Sequence, residues 1–214
     1  MNLWLSSHFL VAGLFLSSSA LTPEECQPLI TPLSLADPAM MYGRSNFIMG
    51  YTDNEIYNDI LKVTESMWMN ITPSPSSNNT IIMSQENKIN GTCLSAKLNT
   101  TIDGNIGSTS LGDIKSVFHL LPTYDGYLLM NFNSTNKNLD KLVRMMNINS
   151  NATAEEVNVR AFYLMGKGMT VNDYDLEHFK KQASCLGFSK EPNFIYDHKN
   201  GFCAEGEGHN IFGN

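Results

Sequence analysis

Six short stretches of this chain favour extended backbone: SMWMNI (66–71), TIIMS (80–84), CLSAKLNTTI (93–102), SVFHLL (116–121), YLLMNFN (127–133) and VRAFYLM (159–165). Turn signals fall between them at Asn78-Asn79, Asn90-Gly91, Asp103-Gly104 and Asp125-Gly126. Dipeptides of this kind join strands through tight reversals. The first five stretches follow too closely for a crossover helix, and parallel neighbours need one. The pattern therefore predicts a mainly β fold, an antiparallel sandwich or barrel.

One helix follows the strands. NDYDLEHFKKQASCLG (172–187) opens on cap candidates Asn172 and Asp173, carries acids in its first turn and Lys180-Lys181 farther on, and ends at Gly187, where a left-handed residue belongs. Leu176, Phe179, Ala183 and Leu186 form one apolar stripe, which needs a surface to pack on. A shorter helix is expected over Asp53 to Leu61.

Residues 1–20, MNLWLSSHFLVAGLFLSSSA, contain no charged side chain. An apolar run from Phe9 to Leu16 gives way to small residues, with Ser18 and Ala20 placed as in a cleavage site. This reads as a secretory signal peptide, too short to span a bilayer. The expectation is a secreted protein whose mature part, 21–214, is one domain without a membrane span. All four cysteines (Cys26, Cys93, Cys185 and Cys203) lie in that part. An even count in a secreted chain predicts two disulfides in one of three pairings. The formal charge of −7 also belongs to the mature part, and no basic stripe is visible, so nucleic acid is not an expected partner. Asn-X-Ser/Thr acceptors occur at Asn70, Asn78, Asn90, Asn99, Asn133 and Asn151, which are expected to carry surface glycans.

A glycosylated asparagine must face outward, and strand side chains alternate. Asn70 outside puts Ser66 and Trp68 outside and Met67, Met69 and Ile71 inside. Asn99 outside puts Cys93, Ser95 and Lys97 outside and Leu94, Ala96 and Leu98 inside. Asn133 outside puts Leu129 and Asn131 outside and Leu128, Met130 and Phe132 inside.

Motifs for catalysis are missing: no G-x-S-x-G, no H-E-x-x-H, no phosphate-cradling loop. A cysteine nucleophile needs a free activated thiol, and paired cysteines leave none. His119 sits on a strand and faces outward if Phe118 faces inward, without a partner that would make it a base. Asp197, His198, Cys203 and His209 are near in sequence but match no zinc spacing, so no metal and no cofactor is expected. The inward positions are rich in Met, Phe and Leu, which suits a packed core and an apolar ligand cavity equally.

The stretches CQPL (26–29), GRSNFIMGYTDNEIYN (43–58), VFHLLPTYDGYLLM (117–130), FKKQASCLGF (179–188) and NFIYDHKNGFC (193–203) resemble the alpha-1-acid-glycoprotein branch of the lipocalins, and within it the fish members that bind organotins and guanidinium toxins. The resemblance implies an eight-stranded up-and-down barrel, one C-terminal helix outside and a ligand cup inside. It also implies the pairings Cys26–Cys185 and Cys93–Cys203. The family's Gly-x-Trp is here Gly43-Arg44-Ser45, so the tryptophan that plugs the closed end is missing. By resemblance Phe47, Tyr57, Leu61, Met69, Phe118, Leu128, Phe132 and Phe162 line the cup, and Met130 joins them by alternation. Met69, Leu128 and Phe132 are reached by both routes. The expected function is that of a secreted plasma glycoprotein, monomeric and not an enzyme, which carries a small hydrophobic or amphipathic molecule such as tributyltin or a guanidinium toxin like tetrodotoxin or saxitoxin. The alternative is an acute-phase immunomodulatory glycoprotein that acts through its surface and glycans.

Overall fold

The computed structural model describes residues 21–137, 139, 143, 144, 146, 148 and 156–210. After helix α1 (Pro23–Ile30) and a 3-10 turn (Pro38–Met41), the chain forms β1 (Gly43–Thr52), α2 (Glu55–Val63), β2 (Thr64–Pro73), β3 (Thr80–Ile89), β4 (Thr92–Asp103), β5 (Ile106–Leu111), β6 (Ile114–Leu121), β7 (Tyr127–Lys137) and β8 (Glu156–Gly166). Helix α3 (Asp173–Cys185) and the two-residue strands β9 (Phe194–Ile195) and β10 (His209–Asn210) follow. Strands β1 to β8 pair antiparallel in chain order. Pairings of β4 with β5 and β1 with β8 close the ring, so the fold is an eight-stranded up-and-down barrel.

The turn signals do what their chemistry demands. Asn90 and Gly91 both have positive φ, 49° and 76°, and form the two-residue reversal between β3 and β4. Gly104 and Gly126 are also left-handed, in the β4–β5 and β6–β7 connections. Gly107 meets a different need: it lies opposite Phe118, and a Cβ there would be 2.3 Å from the ring, so only glycine lets that ring lie across β5.

Helix α3 begins where expected. The Asn172 side chain accepts from the Asp175 N–H, and Gly187 (φ 88°) follows the end of the helix. Its stripe, with Phe179 and Ala183 buried, packs on the outside of the barrel against Tyr51, Leu129, Phe162 and Leu164. Gln182 Nε2 donates 2.8 Å bonds to the carbonyls of Leu29 and Pro122, tying α3 to α1 and to the β6–β7 loop. Cys26–Cys185 joins α1 to α3, and Cys93–Cys203 ties the C-terminal segment to β4. Helix α2 runs from Glu55 to Val63 with Asn54 as its cap, two residues later than the expected span.

Two apolar residues assigned to the outer face, Trp68 and Leu129, are covered rather than exposed. Trp68 is buried under the C-terminal segment, its indole N–H donating to the Cys203 carbonyl at 2.8 Å and its ring carrying the Arg44 guanidinium at 4.2 Å. Ser66 beside it donates to the Gly201 carbonyl. Glu86 holds the same segment, its carboxylate accepting from the N–H groups of Gly206 and Gly208. Leu129 lies under α3, as does Phe162, whose ring stacks on Phe179 at 4.8 Å.

The closed end is plugged without a tryptophan. The chain before β1 crosses it, the Leu33 and Leu35 N–H groups donating to the carbonyls of Leu120 and Gly104. Leu35 and Met41 thereby join the interior group of Ile71, Ile81, Ile102 and Leu120. Ser45, at the third position of Gly43-Arg44-Ser45, pairs with Met69 and is buried.

Candidate ligand-binding site

Alternation along β2 to β8 converges on one cavity of about 250 Å³ inside the barrel. Six methionines line it: Met67, Met69, Met83, Met130, Met146 and Met165. Phe118 and Phe132 face each other across the β6–β7 pair with ring centroids 5.7 Å apart, and Phe132 continues to Tyr163 at 5.3 Å. Leu94, Ala96 and Leu98 supply the β4 wall, as the Asn99 alternation predicts. Thioethers are flexible and polarizable, so such a wall can adjust to guests of different shape.

Polar groups inside the barrel pair mostly with one another. Ser116 and Ser134 hydrogen-bond at 2.7 Å, Thr100 bonds Thr109, and Gln85 Nε2 donates to Met69 Sδ at 3.7 Å. No described residue lining the cavity is charged. Burial pushes the Tyr163 phenol well above its usual range, with the nearby Tyr57 adding to the shift. Burial also raises Tyr57 to about 12, against a smaller opposing effect of the Asn136 amide. Both phenols are therefore neutral hydrogen-bonding groups at physiological pH.

Of the residues expected to line the cup, Met69, Phe118, Met130 and Phe132 border the cavity. Phe47 lies in the same interior as a packed ring, stacked on Phe194 at 4.4 Å and touching Tyr163 at 4.6 Å. Leu61 and Leu128 pack into that interior without bordering the space. Tyr57 packs with Leu139, Val143, Val157 and Val159, a group formed by α2, β8 and the segment after β7. Phe162 is a correction: it is outside the barrel under α3, and its neighbour Tyr163 faces in. VRAFYLM is apolar on both sides, so no polar face fixes its register. Among lining residues outside the expected set, Met83 is on the same face of β3 as Ile81, and Met165 on the same face of β8 as Tyr163.

A larger concavity, about 930 Å³, lies on the outer face of β4 to β8. It is an open surface, mostly of Ser, Thr and Asn side chains with Asp53, Lys115 and Arg160 among them, that includes the acceptors Asn99 and Asn133. Asn78, Asn90, Asn99 and Asn133 are exposed and Asn70 is half-buried; Asn151 and residues 1–20 fall outside the described residues. His119 binds the Asn105 carbonyl through Nδ1 at 2.9 Å while Phe118 points inward. Cys203 is in a disulfide, and no described helix is long and apolar enough to cross a membrane.

No family profile matches the sequence, and no curated protein matches it. Solved structures do. The chain is similar to the siderocalin Ex-FABP, with a TM-score of 0.55 at 10% identity over 75% of this chain and 96% of that one. It is similar to the odorant-binding protein OBP1, with a TM-score of 0.50 at 13% identity over 73% of this chain and 88% of that one. A closed eight-stranded up-and-down barrel, crossed at one end by the N-terminal segment and flanked by a C-terminal helix, is the fold of the lipocalins, and it is the fold of this chain.

Proposed function

We propose that this protein is a secreted glycoprotein carrier that holds one small hydrophobic or amphipathic molecule inside its barrel and releases it unchanged. The observation that carries this reading is the interior cavity, walled by thioethers and phenyl rings and bordered by no charged described residue. Removing apolar surface from water supplies ~25 cal/mol per Å². At about 250 Å³ the space is just below the usual range for ligand sites, so it suits a compact guest. Met69, Phe118, Met130 and Phe132 are the contact residues. The disulfides, the reading of residues 1–20 and the exposed glycan acceptors agree with an oxidising, extracellular setting such as plasma.

Among specific ligands the resemblance suggests tributyltin, whose butyl chains match the apolar wall. Tetrodotoxin and saxitoxin fit less well. A guanidinium needs a carboxylate or open aromatic faces, and the described wall offers no carboxylate. A second reading, action through surface glycans, draws on the outer concavity that carries Asn99 and Asn133.

The test is native mass spectrometry of the deglycosylated protein titrated separately with tributyltin and tetrodotoxin. One bound tributyltin, lost in Phe132→Trp, is the expected result. Uptake of neither compound, or uptake unaffected by Phe132→Trp, would overturn the assignment. A biological activity that survives Phe132→Trp would favour the surface reading.

A further inference from the structure

Among the described residues, buried unpaired side-chain atoms occur at Asn46 and Gln182, one each, and at Asn136, where both amide atoms are affected. Asn136 is 1% exposed, and among the described residues neither its amide nitrogen nor its amide oxygen has a hydrogen-bond partner of good geometry. Interior amides are nearly always paired, so an unpaired one needs a reason. Asn136 lies on β7 one inward position beyond Ser134, which borders the cavity, and it pairs across the sheet with Ile114, which borders it too. The Tyr57 phenol, which does not border the cavity, lies within loose hydrogen-bonding range of the amide, and the wall residue Tyr163 is affected by Tyr57 in turn. The next rung, Ser116 with Ser134, is satisfied internally. The barrel thus has an apolar chamber and, beside one end of it, a neutral donor and a neutral acceptor on a single side chain.

We propose that Asn136 is a head-group site, and that the guest is an uncharged amphiphile bearing a donor–acceptor group such as a carboxamide. The inference rests on the carrier reading above and adds a chemical class to it. A primary carboxamide pairs with the Asn136 amide through two complementary hydrogen bonds while its apolar body lies among the methionines. A carboxylate can only accept, and an ammonium can only donate, so each leaves half of the Asn136 amide unpaired. Each would also bring a charge to a wall whose described residues carry none to oppose it. The site therefore selects by charge as well as by shape.

The test is calorimetric titration of the full chain with 4-butylbenzamide, 4-butylbenzoate, 4-butylbenzylammonium and butylbenzene, four probes sharing one apolar body. The expected order puts the benzamide at least tenfold tighter than either ion. In Asn136→Leu, which keeps the volume and removes the amide, the benzamide falls to the affinity of butylbenzene while butylbenzene itself is unchanged. Asn136→Thr, too short to reach, gives the same loss if the leucine variant fails to fold. Benzoate or benzylammonium binding as tightly as the benzamide to the unmodified chain overturns the proposal, and so does a benzamide affinity unchanged by either substitution. Butylbenzene binding with no preference for the benzamide leaves the carrier reading intact and removes only the head-group site. Failure of all four probes removes both.

Discussion

The indole N–H of Trp68 donates to the carbonyl oxygen of Cys203 at 2.8 Å, joining a barrel strand to a segment 135 residues later. Both groups are buried, so the bond has no water to replace it. Trp68→Phe keeps most of the ring packing and leaves the carbonyl without its donor. The expected loss is about 1–3 kcal/mol, the cost of an unsatisfied buried acceptor, read as a lower urea midpoint by circular dichroism.

Phe162 and Phe118 separate stability from binding. Phe162→Ala removes a ring stacked on Phe179 between barrel and helix, and the expected cost is about 3–5 kcal/mol. Ligand affinity of the folded protein stays unchanged, since that ring does not border the cavity. Phe118→Ala enlarges the cavity and changes ligand preference as well as stability. Denaturation and ligand titration of both variants distinguish the two roles.

The double substitution Cys26→Ser with Cys185→Ser releases a link across 159 residues. Its expected cost is about 2–5 kcal/mol, with the barrel still formed below the new midpoint. Thiol labelling of the unreduced native chain is expected to find no reactive cysteine, because all four are paired.

Alkaline pH should destabilise the fold through its buried phenols. Burial raises Tyr57 to about 12 and moves Tyr163 in the same direction. An unfolded tyrosine loses its proton near pH ~10, so above that value the folded state holds protons that the unfolded state has released. Stability from these groups is complete below pH ~10 and declines as pH rises toward the folded values. Urea midpoints measured from pH 9 to 12 are expected to fall, and to fall less steeply in Tyr57→Phe.

The sequence discloses which side of the sheet a residue occupies more readily than what covers it. Outward asparagines at 70, 99 and 133 assign Met67, Met69, Ala96, Met130 and Phe132 to the interior, where they are found, because a polar anchor fixes a period of two. The same alternation sends Trp68 and Leu129 outward, correctly, but is silent about α3 and the C-terminal segment that bury them. Strand β5, IGSTSL, has little apolar signal, since its inward Thr109 bonds Thr100 and its Gly107 makes room for Phe118. The disulfide pairing came from resemblance, and spacing alone allows three. Asn136 is invisible to pattern because its distinction, an interior amide without a well-formed hydrogen bond among the described residues, arises only once the barrel is folded.

Strand β1 has two different neighbours on one edge. Its first residues, Gly43 to Asn46, pair with β2, and Met49 and Gly50 pair with β9, whose Phe194 stacks on Phe47. The barrel wall is thus completed by residues that follow β1 by more than a hundred positions. A chain emerging from its N-terminus can assemble the hairpins from β2 to β7 as it lengthens. It cannot seal the gap beside β1, or give Phe47 its stacking partner, until residue 195 is free to fold. Until residue 195 emerges, a nascent chain that has formed the other strands would present an unfinished sheet with an apolar seam, and shielding that seam would fall to whatever receives it.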